Sequence, residues 1–445
     1  MKKISILGAG LSATSLIYYL IERAEKYDWE IHIGDYDENI AKKKTNGNPR
    51  AKSFAFNVNN SEEVNNVISN SDIIVSMLPA RFHHIIAENC VKNKKPMLTA
   101  SYVSNEIKEL DKKAKDAGIG IFMELGVDPG IDHMSAMKII DRLRNEGSVL
   151  EAFFSSTGGL VAPEYDNNPW NYKFTWNPRN VVVAGQGVSM FIRNGNYKYI
   201  PYHRLFRRLI HTSIDGIGEF EIYPNRDSLK YRETYGLDDI PTIYRGTMRR
   251  KGFAKAWNIF VQLGATDDSF VIENSSNMTF RDFINTFLPY RDDISVEVKL
   301  KEQFHDIIDD EIFERLKWLD IFENIQIPLK KATPAQILQY ILERKWQLDE
   351  GDKDMIAMQH RFEFITKSGK KKQIISSLVV KGKTNEETAM AITVGTPLAI
   401  AVKMVALGKI NLKGVHVPVI PQIYNPILEE LEELGIKFTE VESNL

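Results

Sequence analysis

The sequence predicts an α/β protein with a parallel sheet covered on both faces, and three observations carry that prediction. Apolar, strand-like runs alternate with helix-like patterns from the N-terminus to about Met123. The first run, residues 4–7, breaks into a Gly-x-Gly-x-x-Ala turn at Gly8, Gly10 and Ala13. From that turn onward Ala13, Leu16, Ile17, Leu20 and Ile21 fall at helical spacing, giving one apolar stripe to lie on a sheet.

Each element then has its own reason. Gly8 makes a tight turn without a Cβ, Gly10 lets backbone approach a pyrophosphate, and Ala13 allows close packing of helix on strand. The free N–H groups around Leu11 and Ser12, with the positive end of the helix, suit phosphate. A second strand, 30–34, ends at Asp35, near the spacing of roughly 20 residues at which an acid meets a ribose hydroxyl. A dinucleotide site is therefore expected here. A carboxylate at Asp35 would repel a 2′-phosphate and accept from a free 2′-hydroxyl, so NAD(H) is expected over NADP(H).

A helix over 39–44, a turn at 46–49 and a strand over 53–58 follow. Next come a helix through Val64 and Ile68, a strand over 72–78 ended by Pro79, and a helix over 82–92. A strand at 97–100, a helix over 104–117 and a strand at 119–123 complete the pattern. Ligands of an open parallel sheet sit beyond the carboxyl ends of its strands. That rule gathers four segments, 8–13, 35–37, 78–82 and 101–102, around one crevice, with Asp35, Leu78, Ala80 and Ser101 as cofactor candidates; Asn57 and Val58 are further cofactor candidates. The loop 124–133 leaves the last of these strands at the same edge with three acids, His133, Pro129 and two glycines, as a hinge, a site or both.

At 445 residues the chain is too long for one ordinary core, so two or three domains are expected. A net charge of −2 gives no reason to expect nucleic acid or an anionic membrane as partner. Cys90 is the one cysteine, which forbids an intrachain disulfide and suits a reducing compartment. With no signal-peptide pattern and no run of about 18 apolar residues, a cytoplasmic protein is expected. No Cys/His cluster has metal-ligand spacing.

Beyond about Glu151 the texture changes. Trp170, Tyr172, Phe174 and Trp176, at a spacing of two, suit either an exposed strand face or the core of a second domain. Lys173 and Arg179 beside them suit a wall that recognises carboxylates. Asn225, Arg226 and Asp227, then Arg245, Gly246 and Thr247, offer further forked donors. Residues 253–348 read as mainly helical, two strands flank a polar turn at 367–372, and helices close the chain, the first interrupted at 395–397.

Together these segments resemble the glutamate-forming saccharopine dehydrogenase (saccharopine reductase) family over nearly the whole chain. The resemblance is carried by Gly8, Ala9 and Gly10, by 100–104, 126–133, 157–160 and 162–164, by Asn168 and Pro169, and by 172–174, 223–228, 245–247 and 393–395, in that order. It implies a Rossmann dinucleotide-binding domain over 1–132 and an inserted α+β substrate and dimerisation domain over 133–384, mainly helical over 253–350. Helices over 385–445 would return to the Rossmann domain.

The implied reaction interconverts saccharopine with L-glutamate and α-aminoadipate semialdehyde through an imine, with NAD or NADP as hydride carrier, in a homodimer of lysine metabolism. The resemblance places Ser101, Val127, Asp128 and Pro129 at the cofactor, and Tyr102 and Val103 at substrate. Asp128 is the expected acid/base group and Tyr102 its orienting partner. Lys173, Arg226 and Arg245 are expected to pair with the substrate's carboxylates, and Trp176, Asn177, Gly246 and Thr247 to bind substrate beside them. Thr157 stands where fungal members are expected to carry Cys, so it can hydrogen-bond but supplies no thiol. A carboxynorspermidine synthase-like reductive condensation and a non-catalytic nucleotide-binding relative are the alternatives.

Overall fold

The computed structural model describes residues 1–445. From the N-terminus β1 (Lys2–Leu7), α1 (Thr14–Ala24), β2 (Trp29–Asp35), α2 (Glu38–Thr45) and β3 (Ala51–Ala55) alternate. The alternation continues through α3 (Ser61–Ser69), β4 (Ile73–Ser76), α4 (His83–Lys92), β5 (Met97–Leu98), α5 (Asn105–Lys108), α6 (Asp111–Ala117), β6 (Gly120–Phe122) and α7 (Ile131–Asn145). Next come β7 (Val149–Val161), α8 (Pro178–Val182), β8 (Val188–Arg193), β9 (Asn196–Pro201), α9 (Tyr202–Leu205), β10 (Ile210–Ile214), β11 (Gly218–Pro224), α10 (Tyr231–Tyr235) and β12 (Thr242–Arg250). Five helices follow: α11 (Phe253–Leu263), α12 (Phe280–Thr286), α13 (Val296–Gln303), α14 (Asp310–Trp318) and α15 (Pro334–Glu343). The chain ends with β13 (Asp354–Ile365), β14 (Lys371–Lys381), α16 (Ala389–Ala406), β15 (Gly414–His416), α17 (Pro421–Glu433) and β16 (Thr439–Asn444).

Contacts divide the chain into two units. The first comprises Met1–Val149, Thr366–Ser368 and Leu378–Thr439; the second comprises Leu150–Ile365, Gly369–Ser377 and Glu440–Leu445. Helix α7 thus belongs whole to the first unit, past the boundary expected at 132.

In the first unit a seven-stranded sheet runs β15-β6-β5-β4-β1-β2-β3. Its pairings are parallel, as alternating strands and helices require. Four of the five stripe residues, Ala13, Leu16, Ile17 and Leu20, are at most 1% exposed, while Ile21 at the end of the stripe is only partly buried. On the other side of the sequence prediction stands β15, which no local pattern announced; it extends the sheet by pairing with β6. The C-terminal helices return to this unit, α16 against α1 and α17 against α7.

Helix α16 corrects an expectation. The Gly-Thr-Pro step does not interrupt it; the helix runs unbroken with Pro397 inside. Gly395 is there for closeness, because a Cβ at that position would lie 2.7 Å from the backbone nitrogen of Leu16. By length and composition α16 is apolar enough to cross a membrane, yet 78% of it is buried inside the protein.

The second unit carries a nine-stranded sheet, β10-β11-β12-β7-β13-β14-β16, with β8 and β9 attached through β12. The aromatics at spacing two are not a strand. Trp170, Tyr172 and Phe174 lie in a loop and are buried against Phe253 and Trp346.

Candidate functional site

Strand β1 stands between β4 and β2, the point where strand order reverses in the first sheet. The turn beyond it is built as its glycines require. Gly8 has φ +103°, and a Cβ there would lie 2.7 Å from the carbonyl oxygen of Met77. Gly10 is the opposite case: a Cβ would meet nothing within 4 Å, so open space faces the backbone where a pyrophosphate would pass. Leu11–Ala13 form a short 3-10 turn, and α1 begins only at Thr14. The Ala9 N–H donates to Asp35 Oδ2 at 2.7 Å, and the Asp37 N–H to Asp35 Oδ1 at 3.1 Å. The carboxylate is thereby fixed against the turn. These residues fit a dinucleotide: an open glycine for phosphate and a positioned acid for ribose.

Lys44 was missed by sequence reading. Its Nζ donates to the Gly10 carbonyl at 2.9 Å and to Thr14 Oγ1 at 2.6 Å, tying α2 to the turn. Burial lowers its ammonium to about 8, against the pull of Glu386 and Asp35. Asn57 and Val58 follow β3, and Leu78 and Ala80 follow β4, all at least partly exposed.

Ser101 is held from below. The His83 imidazole lies 2.8 Å through Nδ1 from Ser76 Oγ and 2.7 Å through Nε2 from Ser101 Oγ. Burial depresses this imidazole to about 4, so it is neutral near pH 7 and joins the two hydroxyls with one donor and one acceptor.

Tyr102 and Asp128 meet. The phenol donates to Asp128 Oδ1 at 3.0 Å, with Tyr102 39% exposed. Next to it the Val103 N–H donates to Glu124 Oε1 at 3.0 Å. The 124–133 loop closes tightly, since a Cβ on Gly130 would fall 2.1 Å from the Gly126 carbonyl oxygen. Val127 and Pro129 are buried on its inner side.

In the second unit, strand register sorts the expected substrate residues. On β12, Arg245, Thr247 and Arg249 alternate and so share one face. Thr157 of β7 is in register with Thr247, and Tyr223 of β11 pairs with Thr247 from the other side. The Arg245 guanidinium lies 4.0 Å from the Tyr231 ring centroid. Thr157 Oγ1 is buried without a hydrogen-bond partner. Arg226 is exposed in the turn after β11, with φ +46°.

One expectation fails on geometry. Lys173 is 2% exposed and bonded to Asp349 at 2.8 Å and Asp352 at 2.5 Å, a structural ion cluster rather than a substrate donor. Gly246 lies on the opposite face from Arg245 and Thr247, where a Cβ would be 2.2 Å from Ile222 Cγ2. Asn177 caps α8 by accepting the Arg179 N–H at 3.0 Å, and both it and Trp176 are exposed. Sequence reading also missed Arg249, although the Arg-x-Thr-x-Arg alternation is visible in the chain.

The family model described as Saccharopine dehydrogenase NADP binding domain matches residues 4–122, and that of the Saccharopine dehydrogenase C-terminal domain matches 126–436. The chain belongs to the saccharopine dehydrogenase family. A relative from Schizosaccharomyces pombe, saccharopine dehydrogenase [NADP(+), L-glutamate-forming], is 31% identical over 99% of this chain and 99% of its own. Bovine mitochondrial alpha-aminoadipic semialdehyde synthase is 35% identical over 98% of this chain but only 47% of its own. The chain thus spans about half the length of the mammalian relatives it matches. The apo histidine-tagged saccharopine dehydrogenase (L-Glu forming) from Saccharomyces cerevisiae has a similar structure, with a TM-score of 0.90 at 28% identity over the whole of both chains.

Proposed function

We propose that this family member is a glutamate-forming saccharopine dehydrogenase, interconverting saccharopine with L-glutamate and α-aminoadipate semialdehyde. The observation that carries the reading is the Tyr102–Asp128 hydrogen bond, at the strand-end edge that also bears the glycine turn. The full-length likeness to glutamate-forming relatives supports it.

In the synthetic direction the amine of glutamate adds to the aldehyde, the carbinolamine loses water, and the resulting imine is reduced. The bound nicotinamide supplies the hydride. Asp128 moves the protons that addition and dehydration require, and Tyr102 holds its carboxyl group in place. Arg226 and Arg245 receive substrate carboxylates, Thr247 adds a hydroxyl, and Thr157 contributes a hydrogen bond in place of a thiol. The first unit holds the dinucleotide; the second serves as substrate and dimerisation unit of a homodimer, which light scattering of the purified chain tests.

We read Asp35 as favouring NAD(H). The fungal relatives' names carry NADP(+) and the matching family model is named for NADP. The NAD preference therefore rests on Asp35 alone, whose fixed carboxylate would stand against a 2′-phosphate.

One assay tests both readings: nicotinamide absorbance with L-saccharopine, offering NAD and NADP in parallel. Turnover favouring NAD supports both; a higher kcat/KM with NADP overturns the reading of Asp35. Nucleotide binding without saccharopine-dependent turnover overturns the substrate, and carboxynorspermidine becomes the next one to try.

A further inference from the structure

The same face of the second sheet holds a charge that lacks a carboxylate partner. Arg249 is 3% exposed, yet its one hydrogen bond runs from Nη1 to the carbonyl of Met248 at 2.9 Å, and its Nε has no acceptor. Aromatic rings surround the guanidinium, with centroids at 5.0 Å for Tyr172, 5.5 Å for Phe253 and 6.0 Å for Tyr223. The acid opposite it by register, Glu221, is turned onto the backbone N–H groups of Gly252 and Ala254. Beside the guanidinium, the fully buried Tyr172 hydroxyl neighbours the Trp176 side chain, and its proton has no acceptor.

A buried guanidinium needs an anion. Desolvating a cation is costly, and ring faces return only part of that cost. Arginine presents several donors in a rigid fork that matches a carboxylate, and a phenol can add one more. A planar carboxylate matches that fork, and the rings of Tyr172, Phe253 and Tyr223 around the guanidinium offer no donors for the further oxygens of a phosphate. Thr247 and Thr157, on the same face, place the arrangement beside the donors already assigned to substrate.

We propose that Arg249, with the hydroxyl of Tyr172, receives one carboxylate of the amino-acid substrate, in a subsite separate from Arg226 and Arg245. The proposal rests on the reading of this sheet face as substrate-binding. The indole of Trp176 stands next to the Tyr172 hydroxyl and reaches solvent, which gives the subsite an optical reporter.

The test compares wild type with Arg249→Met, Arg249→Lys and Tyr172→Phe. Saccharopine and L-glutamate are titrated into the apo protein by calorimetry and by Trp176 fluorescence, with Trp176→Phe to assign the signal. Saccharopine KM and melting temperature are measured in parallel. Arg249→Met is expected to weaken saccharopine binding and raise its KM about tenfold or more, with nucleotide affinity unchanged. Arg249→Lys should recover part of the loss. Because Arg249→Met replaces an uncompensated buried charge with an apolar chain of similar length, its melting temperature should hold or rise.

Unchanged saccharopine affinity in Arg249→Met overturns the proposal, and so does a lower melting temperature with normal affinity, which marks Arg249 as a purely structural cation. A wild type that binds L-glutamate through Arg249 but does not turn saccharopine over sinks the proposed reaction and leaves the subsite standing. A wild type that binds neither amino acid sinks the subsite.

Discussion

Glu124 and His133, both buried, face each other at 2.7 Å, and the second oxygen of Glu124 accepts the Val103 N–H at 3.0 Å. One carboxylate therefore joins the segment that carries Tyr102 to the loop that carries Asp128. Glu124 does so from a left-handed backbone position, φ +61°, which a non-glycine residue holds only when its surroundings impose it. Glu124→Gln keeps the shape and removes the charge. It disturbs a buried hydrogen bond and is expected to lower stability by about 2 kcal/mol. It should also lower kcat by loosening Tyr102 against Asp128. A melting curve and a kcat identical to wild type would show that the link carries no strain of function.

The two glycines of the first turn should separate cleanly by measurement. Gly8→Ala meets the Met77 carbonyl at a backbone angle that alanine avoids, and should destabilise the first unit by about 3 kcal/mol. Gly10→Ala meets nothing in the fold, so its melting temperature should match wild type. Its methyl group would instead enter the phosphate path, raising the nucleotide Kd about tenfold through lost backbone hydrogen bonds. Calorimetric titration of NADH and NADPH into both variants checks the contrast.

Acid sensitivity follows from His83. Burial holds its folded-state pKa at about 4, below the ordinary value of 6.5. Below pH 6.5 the unfolded chain takes up a proton that the folded chain refuses. The stability contributed by the neutral imidazole is thus complete above about 6.5 and lost as pH falls through about 4, reaching about 3 kcal/mol. Thermal melts from pH 7 to pH 4 should show a shallower decline for His83→Asn than for wild type. Parallel declines would remove His83 as the cause.

Much of the first unit was legible because its signals are local: a glycine turn, a helical stripe, an acid at the end of the second strand. What escaped depended on distant segments. The three residues of β15 acquire meaning only by pairing with β6, far back in the chain. Lys173 shows its charge in the sequence, but Asp349 and Asp352 arrive from 176 and 179 residues away to neutralise it. The aromatics around it left two readings open, strand face or core, and only the packing of Phe253 and Trp346 from distant segments decides for the core. Thr157 and Thr247 were both named as site residues from the chain; that they are register neighbours on one sheet face was not readable.

Lys173 gives a direct test of that correction. Lys173→Met leaves Asp352, 7% exposed, without its cation, and should lower stability by about 3 kcal/mol. The KM for saccharopine, measured on the folded protein below its melting range, should stay at the wild-type value. A selective rise in that KM would return Lys173 to the substrate site.

Tyr102→Phe probes the reaction itself. The ring is exposed and its hydroxyl bonds Asp128 at 3.0 Å, so removing one oxygen should hardly change melting temperature. If the phenol holds the acid/base carboxylate in place, kcat should fall about ten- to a hundredfold while nucleotide affinity stays constant. A purely structural tyrosine would leave kcat at the wild-type value, and that result would remove Tyr102 as the partner that orients Asp128.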